Sequence, residues 1–296
     1  MHRSNPFRIE LLLTRLAPAK INLGLHVLRR RADGFHDIET VFLRIPWADE
    51  LTACPSASIQ MTCSDPALPT DEGNLCVRAA RRLAELLGTP AGAEIHLEKH
   101  VPYGAGLGGG SSDAAATLQV LLDLWGASLD AGTRQALAAQ LGSDVPFFLG
   151  PAAAHATGRG EVLTPLVDPE TGNPYTFPFS LVVAVPPVEV STAQAYRLVR
   201  PRDENRPDLR AAVCSNDLDR WRAEVVNDFE APVFAAFPAV RQAREMLVEA
   251  GAGYTSLSGS GSAVFGVFED VAGATAAAEA ARQNGLRVWH GGVPNL

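Results

Sequence analysis

The feature that most constrains the fold of this chain is a run of glycines placed directly before a predicted helix. Five of the seven residues from Gly104 to Gly110 are glycine. Each glycine in an ordered segment costs about 0.5–1 kcal/mol relative to alanine, because its backbone loses more freedom on folding. Apolar residues recur at helical spacing from Ala114 to Trp125, and Gly126 then provides a stop. The native fold therefore has to use the open backbone of these glycines at one defined place.

A glycine run at the start of a helix predicts a phosphate site. Consecutive backbone N–H groups can converge on a phosphate where no Cβ obstructs it, and the helix dipole adds to the attraction. We expect Ser111, Ser112 and Asp113 at the capping positions, where a serine hydroxyl can meet a phosphate oxygen or its metal. The alternative is a loop that needs glycine only for close packing or flexibility, although a flexible linker would not abut a strong helix.

Three familiar phosphate motifs do not account for the run. The letters "GAGLGG" match the dinucleotide pattern, but Asp123, at the spacing of the required acidic residue, falls inside the predicted helix rather than after a strand. A P-loop needs Lys followed by Ser or Thr after its last glycine, and Ser111 stands there instead. The H-R-D and D-F-G motifs of protein kinases do not occur. The run is a phosphate loop of another type.

The rest of the chain mixes strands and helices without strict alternation. The first third predicts strands, followed by a helix that Asn74 can cap and Gly88 ends. An edge-like strand, "AEIHLEKHVP", leads into the glycine run. Beyond "SLVVAVPP" we expect three helical stretches and a strand pair around "YTSLSGSGSAVFGVF". This organisation predicts an α+β fold. The composition shift near residues 161–179 predicts two domains, 1–161 and 162–296.

Composition excludes several classes of protein. The formal net charge is −8, and the single arginine-rich run, "RRRADGFH", is short, which argues against a nucleic-acid partner. The four cysteines lack the spacing of a zinc site and predict reduced thiols. No apolar stretch approaches the length of a membrane span or of a signal peptide's apolar region. We therefore expect a cytoplasmic protein with no membrane partner.

Three motifs together resemble the GHMP kinase family of small-molecule kinases. They are "APAKINLGLHVLRRRADGFHDIETVF", "PxGAGLGGGSSD" and "SLSGSGSAVFGVF". The resemblance implies an N-terminal ATP-binding domain related to a ribosomal-protein fold, a ferredoxin-like C-terminal domain, and an active site between them. The stretches "NLCVRAARRL" and "GSDVPFFL" extend the resemblance over essentially the whole chain. Together these motifs resemble one branch of the family, whose substrate is a methylerythritol linked to cytidine diphosphate.

The resemblance also implies an ATP site, with Mg²⁺ as the metal that ATP chemistry requires. Asn74 is equally explained as a helix cap, and Ser112 is the single candidate metal ligand. The implied ATP-binding residues are Asn74, Pro102, Gly104, Gly106, Leu107, Gly108, Gly109, Gly110, Ser111 and Ser112.

Lys20 and Asp144 match the catalytic positions of the family. Asp144 in "GSDVPFF" is the implied base, although an isolated aspartate there is also typical of a helix cap or turn. Lys20 lies in an apolar strand, where a lysine is costly unless paired, so we expect it to contact Asp144. The alternative is a lysine whose ammonium extends to solvent.

The motif "ADGFH" implies a pyrimidine pocket. Phe35 can stack on the base and His36 can hydrogen-bond to it, while the alternative is a core phenylalanine and a surface histidine. Many relatives carry tyrosine at position 35, so here stacking survives without the phenolic hydrogen bond. The glycines near residue 260 are also explained by a hairpin turn. The implied substrate-binding residues are Asn22, Phe35, His36, Thr192, Gly259, Ser260 and Gly261.

Three other functions stay open from the sequence. Another kinase of the same family, of the homoserine or mevalonate type, would not need the aromatic pair. A non-catalytic nucleotide-binding regulator would be expected to lack Lys20 or Asp144, and both are present. An RNA-binding protein is disfavoured by the negative charge. The sequence is compatible with a monomer or a homodimer.

Overall fold

The computed structural model describes residues 11–294, which form two β-sheets covered by helices. The strands are β1 Leu13–Arg30, β2 His36–Ser56, β3 Gln60–Cys63, β4 Gly92–Glu98, β5 Ala153–Thr157, β6 Val162–Pro165, β7 Ser180–Val185, β8 Tyr254–Leu257, β9 Val264–Phe268 and β10 Arg287–Gly292. The helices are α1 Leu75–Leu87, α2 Gly109–Leu124, α3 Ala131–Leu141, α4 Thr192–Leu198, α5 Leu209–Cys214, α6 Leu218–Glu224, α7 Glu230–Ala236, α8 Pro238–Glu249 and α9 Val271–Gln283, with a 3₁₀ helix at Val145–Leu149.

The first sheet is built around a long antiparallel hairpin of β1 and β2. Its remaining strands give the order β3-β4-β2-β5-β6, with β1 paired to β2 alongside. Helices α1, α2 and α3 bury their apolar faces against this sheet in one core. The hairpin register sets Lys20 opposite Arg44 and Asn22 opposite Phe42, so both polar residues lie mid-strand within an apolar surface.

The second sheet is antiparallel in the order β10-β7-β9-β8. A core shared by β1, β2, β7, β9, α5 and α6 joins it to the first sheet. The predicted α+β class and the two-domain architecture are confirmed. The predicted boundary at residue 161 falls just before β6, which pairs with β5 in the first sheet. A division of the chain close to this hairpin remains our proposal.

Two local predictions are wrong. The strand β4 is not an edge strand, because it pairs with β2 on one side and β3 on the other. Between β7 and β8 the structure has five short helices rather than three. Asp208 and Asp217 each cap a new helix there, and Asn216 adopts a φ of 50° that ends the preceding turn.

Among residues 11–294, the helices fall short of the length and apolar character that crossing a membrane requires.

Candidate active site

The glycine loop needs glycine because its backbone is left-handed at three positions. The φ angles of Gly104, Gly106 and Gly108 are 70°, 78° and 70°. A side chain would also collide with its neighbours. A Cβ on Gly106 would lie 2.1 Å from the carbonyl oxygen of Ser258, and one on Gly108 would lie 2.9 Å from Cζ of Phe148. At Gly106 and Gly108, steric crowding and the left-handed backbone therefore both favour glycine.

The loop is fixed by contacts with both sheets. The backbone N–H of Lys20 on β1 donates to the carbonyl of Leu107, at 2.9 Å. From the segment between β8 and β9, the hydroxyl of Ser258 donates to the carbonyl of Gly106, and Ala263 N–H donates to Ala105, both at 2.9 Å. The glycine loop is therefore a partly buried turn anchored by hydrogen bonds to both sheets, unlike a flexible linker.

The start of α2 differs from the predicted capping pattern. Gly108 is the N-cap residue and makes no side-chain cap bond, so Ser111, Ser112 and Asp113 lie inside the first turns of the helix. The first-turn N–H groups stay available to a ligand because no side chain caps them. Ser111 lines the catalytic cavity. Ser112 is buried on another face, its hydroxyl without a hydrogen-bond partner in the described chain, so the geometry favours Ser111 for contact with phosphate or metal.

Lys20 is held at the centre of the site. Its side chain is 4% exposed, and its ammonium donates to Oδ1 of Asn22 at 2.6 Å and to the carbonyl of Gly106 at 3.2 Å. The nitrogen lies 3.6 Å from Oδ2 of Asp144 and 5.0 Å from the ring centre of Phe42. Burial lowers the pKa of Lys20, and the Asp144 carboxylate partly opposes this shift.

Asn22 orients the lysine. Its amide nitrogen donates to the hydroxyl of Thr40 at 2.9 Å, and Thr40 in turn donates to the carbonyl of Gly24. Both ends of the Asn22 amide are therefore engaged, with the oxygen turned to Lys20 and the nitrogen to Thr40. The sequence predicted that Asn22 contacts the substrate. The structure adds that Asn22 orients Lys20 and is itself held by Thr40, a residue that no sequence pattern had indicated.

The glycine loop, the lysine and Asp144 enclose a catalytic cavity of about 300 Å³. Asp144 precedes the 3₁₀ helix and makes no side-chain cap bond, so its carboxylate, 30% exposed, remains free to meet a ligand. The predicted site residues that line the cavity are Lys20, Asn22, Pro102, Gly104, Gly106, Leu107, Gly108, Gly109, Gly110, Ser111, Asp144, Thr192, Gly259 and Ser260.

A second cavity of about 960 Å³ adjoins the first, and Asp144, Arg159, Thr192 and Tyr196 line both. Phe35 and His36 line it, as does Tyr196 on α4, whose ring stacks on His36 with centroids 4.8 Å apart. The guanidinium of Arg159 lies over the ring of Phe35 at 4.9 Å. Burial, followed by the nearby charge of Asp144, raises the pKa of Tyr196 to about 12, so its phenol is neutral near pH 7.

The third glycine segment closes the catalytic cavity from the C-terminal side. Gly259 and Ser260 line the cavity, and the Ser260 hydroxyl lies 3.2 Å from that of Thr192. The amide of Asn227 donates to the carbonyls of Leu257 and Gly259, both at 2.8 Å, which holds the segment in place. It is a buried turn between β8 and β9 that also forms a cavity wall, and its contact with a substrate stays a prediction.

Besides Ser112, two further predicted residues line neither cavity. Asn74 caps α1 by accepting from Cys76 N–H at 2.9 Å and donates to the carbonyl of Pro69, while its neighbour Leu75 reaches the catalytic cavity. Gly261, with a φ of 94°, lies behind Ser260 and packs on Leu257. The roles of both residues in ligand binding stay predictions from the family resemblance.

Sequence reasoning missed a buried ion cluster beneath the glycine loop. The ammonium of Lys99 contacts Asp49 and lies 2.9 Å from Oδ2 of Asp113 in α2, and all three side chains are at most 5% exposed. Asp49 also accepts from the N–H groups of His100 and Val101. One signal was available: only two of the 25 Lys and Arg residues are lysines, Lys20 and Lys99.

Arg159 and Tyr196 were also missed. Arg159 follows β5 in "TGRGE", and nothing in that stretch distinguishes it from a surface arginine. Tyr196 lies four residues beyond Thr192 on α4, so the helical spacing from a predicted site residue could have indicated it.

Comparisons with known proteins found similar sequences and similar folds. The profile described as "GHMP kinases N terminal domain" matches residues 74–150, and "GHMP kinases C terminal" matches residues 209–286. A curated 4-diphosphocytidyl-2-C-methyl-D-erythritol kinase of Salinibacter ruber is 56% identical over 280 residues, which cover 94% of this chain and 98% of the relative.

Solved structures extend the comparison to the fold. A crystal structure of 4-(cytidine 5'-diphospho)-2C-methyl-D-erythritol kinase aligns with a TM-score of 0.77 at 40% identity, over 94% of this chain and 98% of that one. The homoserine kinase of Cytophaga hutchinsonii aligns with a TM-score of 0.75 over 99% of this chain and 98% of that one. At 20% identity, the second similarity concerns the fold alone.

Proposed function

The chain belongs to the GHMP kinase family, and with this as the premise we propose that it transfers the γ-phosphate of ATP to the 2-hydroxyl of 4-diphosphocytidyl-2-C-methyl-D-erythritol. This reaction belongs to the non-mevalonate route to isoprenoid precursors. The observation that carries the proposal is the meeting of two cavities at Asp144. One cavity is floored by the glycine loop and the other is walled by aromatic rings.

The glycine loop supplies the ATP phosphates with backbone donors. The uncapped first turn of α2 directs N–H groups and the positive end of the helix dipole into the catalytic cavity. Ser111 adds a hydroxyl at the same place. Hard oxygen donors suit Mg²⁺, which usually reaches such sites bound to substrate phosphates, and the cavity offers the Ser111 hydroxyl and the Asp144 carboxylate to it.

Asp144 and Lys20 act on the hydroxyl that receives the phosphoryl group. Phosphoryl transfer depends chiefly on positioning and on stabilising charge in the transition state. In our proposal, Asp144 orients the substrate hydroxyl and accepts its proton, since its carboxylate faces both cavities. Lys20 places a positive charge beside that carboxylate and near the migrating phosphoryl group, and Asn22 and Gly106 hold the ammonium in place.

The second cavity suits the cytidine part of the substrate. Aromatic faces bind a base by stacking, which is worth about 1–3 kcal/mol per base. Phe35 and Tyr196 provide such faces, and His36 provides a ring nitrogen for a hydrogen bond. Thr192 and Arg159 line both cavities, so they lie where the diphosphate would pass from one to the other. Cytoplasmic location and a monomeric or homodimeric state remain expectations from the sequence.

The test is ADP release from Mg·ATP with each of three alcohols: 4-diphosphocytidyl-2-C-methyl-D-erythritol, homoserine and mevalonate. We expect turnover with the cytidine substrate alone. Asp144→Asn should lower kcat by about 10²–10⁴-fold while ATP binding persists. Asp123→Asn, an exposed aspartate on α2 that pairs with Arg15, is the matched control and should keep full activity. Turnover with homoserine or mevalonate instead would refute the assigned substrate. An Asp144→Asn enzyme with wild-type activity would refute the proposed role of Asp144.

A further inference from the structure

A third cavity lies outside the catalytic region, and its walls are rich in arginine. It has a volume of about 670 Å³ and lies between the segment after α4 and helices α7 and α8. The arginines are Arg200, Arg202, Arg206 and Arg244. It shares no lining residue with the catalytic cavity and only Val199 with the second cavity. In a chain of net charge −8, four arginines around one cavity are a local concentration of positive charge.

The two acidic residues of this cavity provide an ion-pair partner for one of the four arginines. Asp228 forms an ion pair with Arg206 and also accepts from the N–H of Val27 at 2.7 Å. Glu230 is turned to β8, where it accepts from the Ser256 hydroxyl at 2.6 Å and from Leu257 N–H at 3.0 Å. Burial raises the pKa of Glu230, although the positive charge of Arg244 opposes this.

Three arginines are therefore left without an ion-pair partner among residues 11–294: Arg200, Arg202 and Arg244. The Nε atom of Arg244 is buried and makes no hydrogen bond to any described residue. Because Arg200, Arg202 and Arg244 line the cavity without a paired carboxylate, an anion in the cavity would supply their counter-charge. Arginine's planar fork matches phosphate oxygens in pairs.

The remaining wall of the cavity is apolar. Leu198 and Val226 are 42% and 41% exposed, and Pro232 and Phe234 lie beside them. A volume of this size is typical of sites for small ligands, which combine apolar walls with a few convergent polar groups. We propose that this arginine-lined cavity binds a small molecule in which a diphosphate group is attached to an apolar substituent.

The wall of this cavity also supports the active site. Asn227 holds the carbonyls of Leu257 and Gly259, and Glu230 holds the N–H of Leu257. Gly259 lines the catalytic cavity. A ligand in the arginine-lined cavity would thus lie one residue layer from the third glycine segment.

The test is calorimetric titration of protein saturated with ADP and cytidine 5'-diphosphate, so that both catalytic cavities are filled. The probes are inorganic pyrophosphate and hexyl diphosphate. We expect one site per chain, with hexyl diphosphate binding at least about tenfold more tightly because its methylene groups become buried. Arg202→Gln and Arg244→Gln should each weaken binding about tenfold, the usual effect of removing a charged hydrogen bond.

Arg241→Gln is the matched control, because Arg241 lies on the same helix as Arg244 but pairs with Glu245 outside the cavity. It should bind both probes like the wild type. Arg202 is exposed, so its substitution tests the site without disturbing the fold. Absence of binding, equal affinity for the two probes, or wild-type affinity in Arg202→Gln would overturn the proposal.

Discussion

The ammonium nitrogen of Lys20 lies 3.6 Å from Oδ2 of Asp144, and the lysine side chain is almost fully buried. Its hydrogen-bond acceptors are the Asn22 amide oxygen and the Gly106 carbonyl, both neutral. The charge of Lys20 thus depends on one carboxylate and on whatever anion enters the catalytic cavity. ATP phosphates would add negative charge at the same place and favour the protonated lysine.

The lowered pKa of Lys20 predicts a loss of activity on the alkaline side. Because burial lowers this pKa, the ammonium gives up its proton at a pH where an exposed lysine, with a pKa of about 10.4, still keeps it. We therefore expect kcat/KM, which reports the ligand-free enzyme, to fall as pH rises through a value below about 10.4. Lys20→Arg keeps its charge throughout this range, so its residual activity should lack the alkaline decline. The measurement is kcat/KM for ATP from about pH 6 to about pH 11, with kcat at saturating substrates for comparison.

The same fall in wild type and Lys20→Arg would assign the decline to another group. Activity that stays level beyond the ordinary lysine pKa would contradict the effect of burial.

Gly106→Ala should lower the free energy of unfolding by about 2 kcal/mol or more. Its Cβ would lie 2.1 Å from a backbone oxygen, and its φ of 78° disfavours any side chain. Gly110→Ala is the matched control. Gly110 lies within α2, and a Cβ there would approach Leu75 no closer than 3.9 Å. Alanine should therefore raise the free energy of unfolding by about 0.5–1 kcal/mol. Urea unfolding of the three proteins gives the comparison, and equal midpoints would refute the steric argument.

The sequence alone predicts those parts of the site that depend on backbone conformation or on residues close together in the chain. The glycine loop, the α2 helix after it and the Asn74 cap follow from short-range rules, and the structure has them close to the predicted positions. The Lys20–Asp144 contact could also be predicted, because a lysine in an apolar strand requires a partner and the family resemblance supplied one.

The rest of the site depends on pairings between distant segments. Tyr196 reaches His36 across 160 positions of the chain only because α4 packs beside the hairpin turn. Lys99 meets Asp49 through the pairing of β4 with β2, which single-sequence patterns do not specify. The capping error at Ser111 has a local cause, since Gly108 in the left-handed region moves the helix start toward the loop.

Lys99→Met should destabilise the fold by about 3–5 kcal/mol, because it leaves two buried carboxylates without their counter-charge. Asp49 keeps two backbone donors, whereas Asp113 has one oxygen already without a hydrogen-bond partner in the described chain. Combining Lys99→Met with Asp113→Asn removes one of these charges and should recover part of the loss. Unfolding free energies from urea titration test this order. A single variant as stable as the wild type, or a double variant less stable than the single one, would contradict it.

Tyr196 lines both cavities, and its ring stacks on His36 in the second one. Tyr196→Ala should therefore raise KM for the cytidine substrate by about 10–100-fold and change KM for ATP much less, because a stacked aromatic face contributes about 1–3 kcal/mol. Tyr196→Phe keeps the ring that stacks on His36 and should stay within a few-fold of the wild type. Leu198→Ala, at the end of the same helix and outside both catalytic cavities, controls for disturbance of α4. Steady-state kinetics with each substrate varied in turn separates the two KM values. If Tyr196→Ala instead raised KM for ATP alone, the second cavity would not hold the pyrimidine, and the base would have to bind elsewhere.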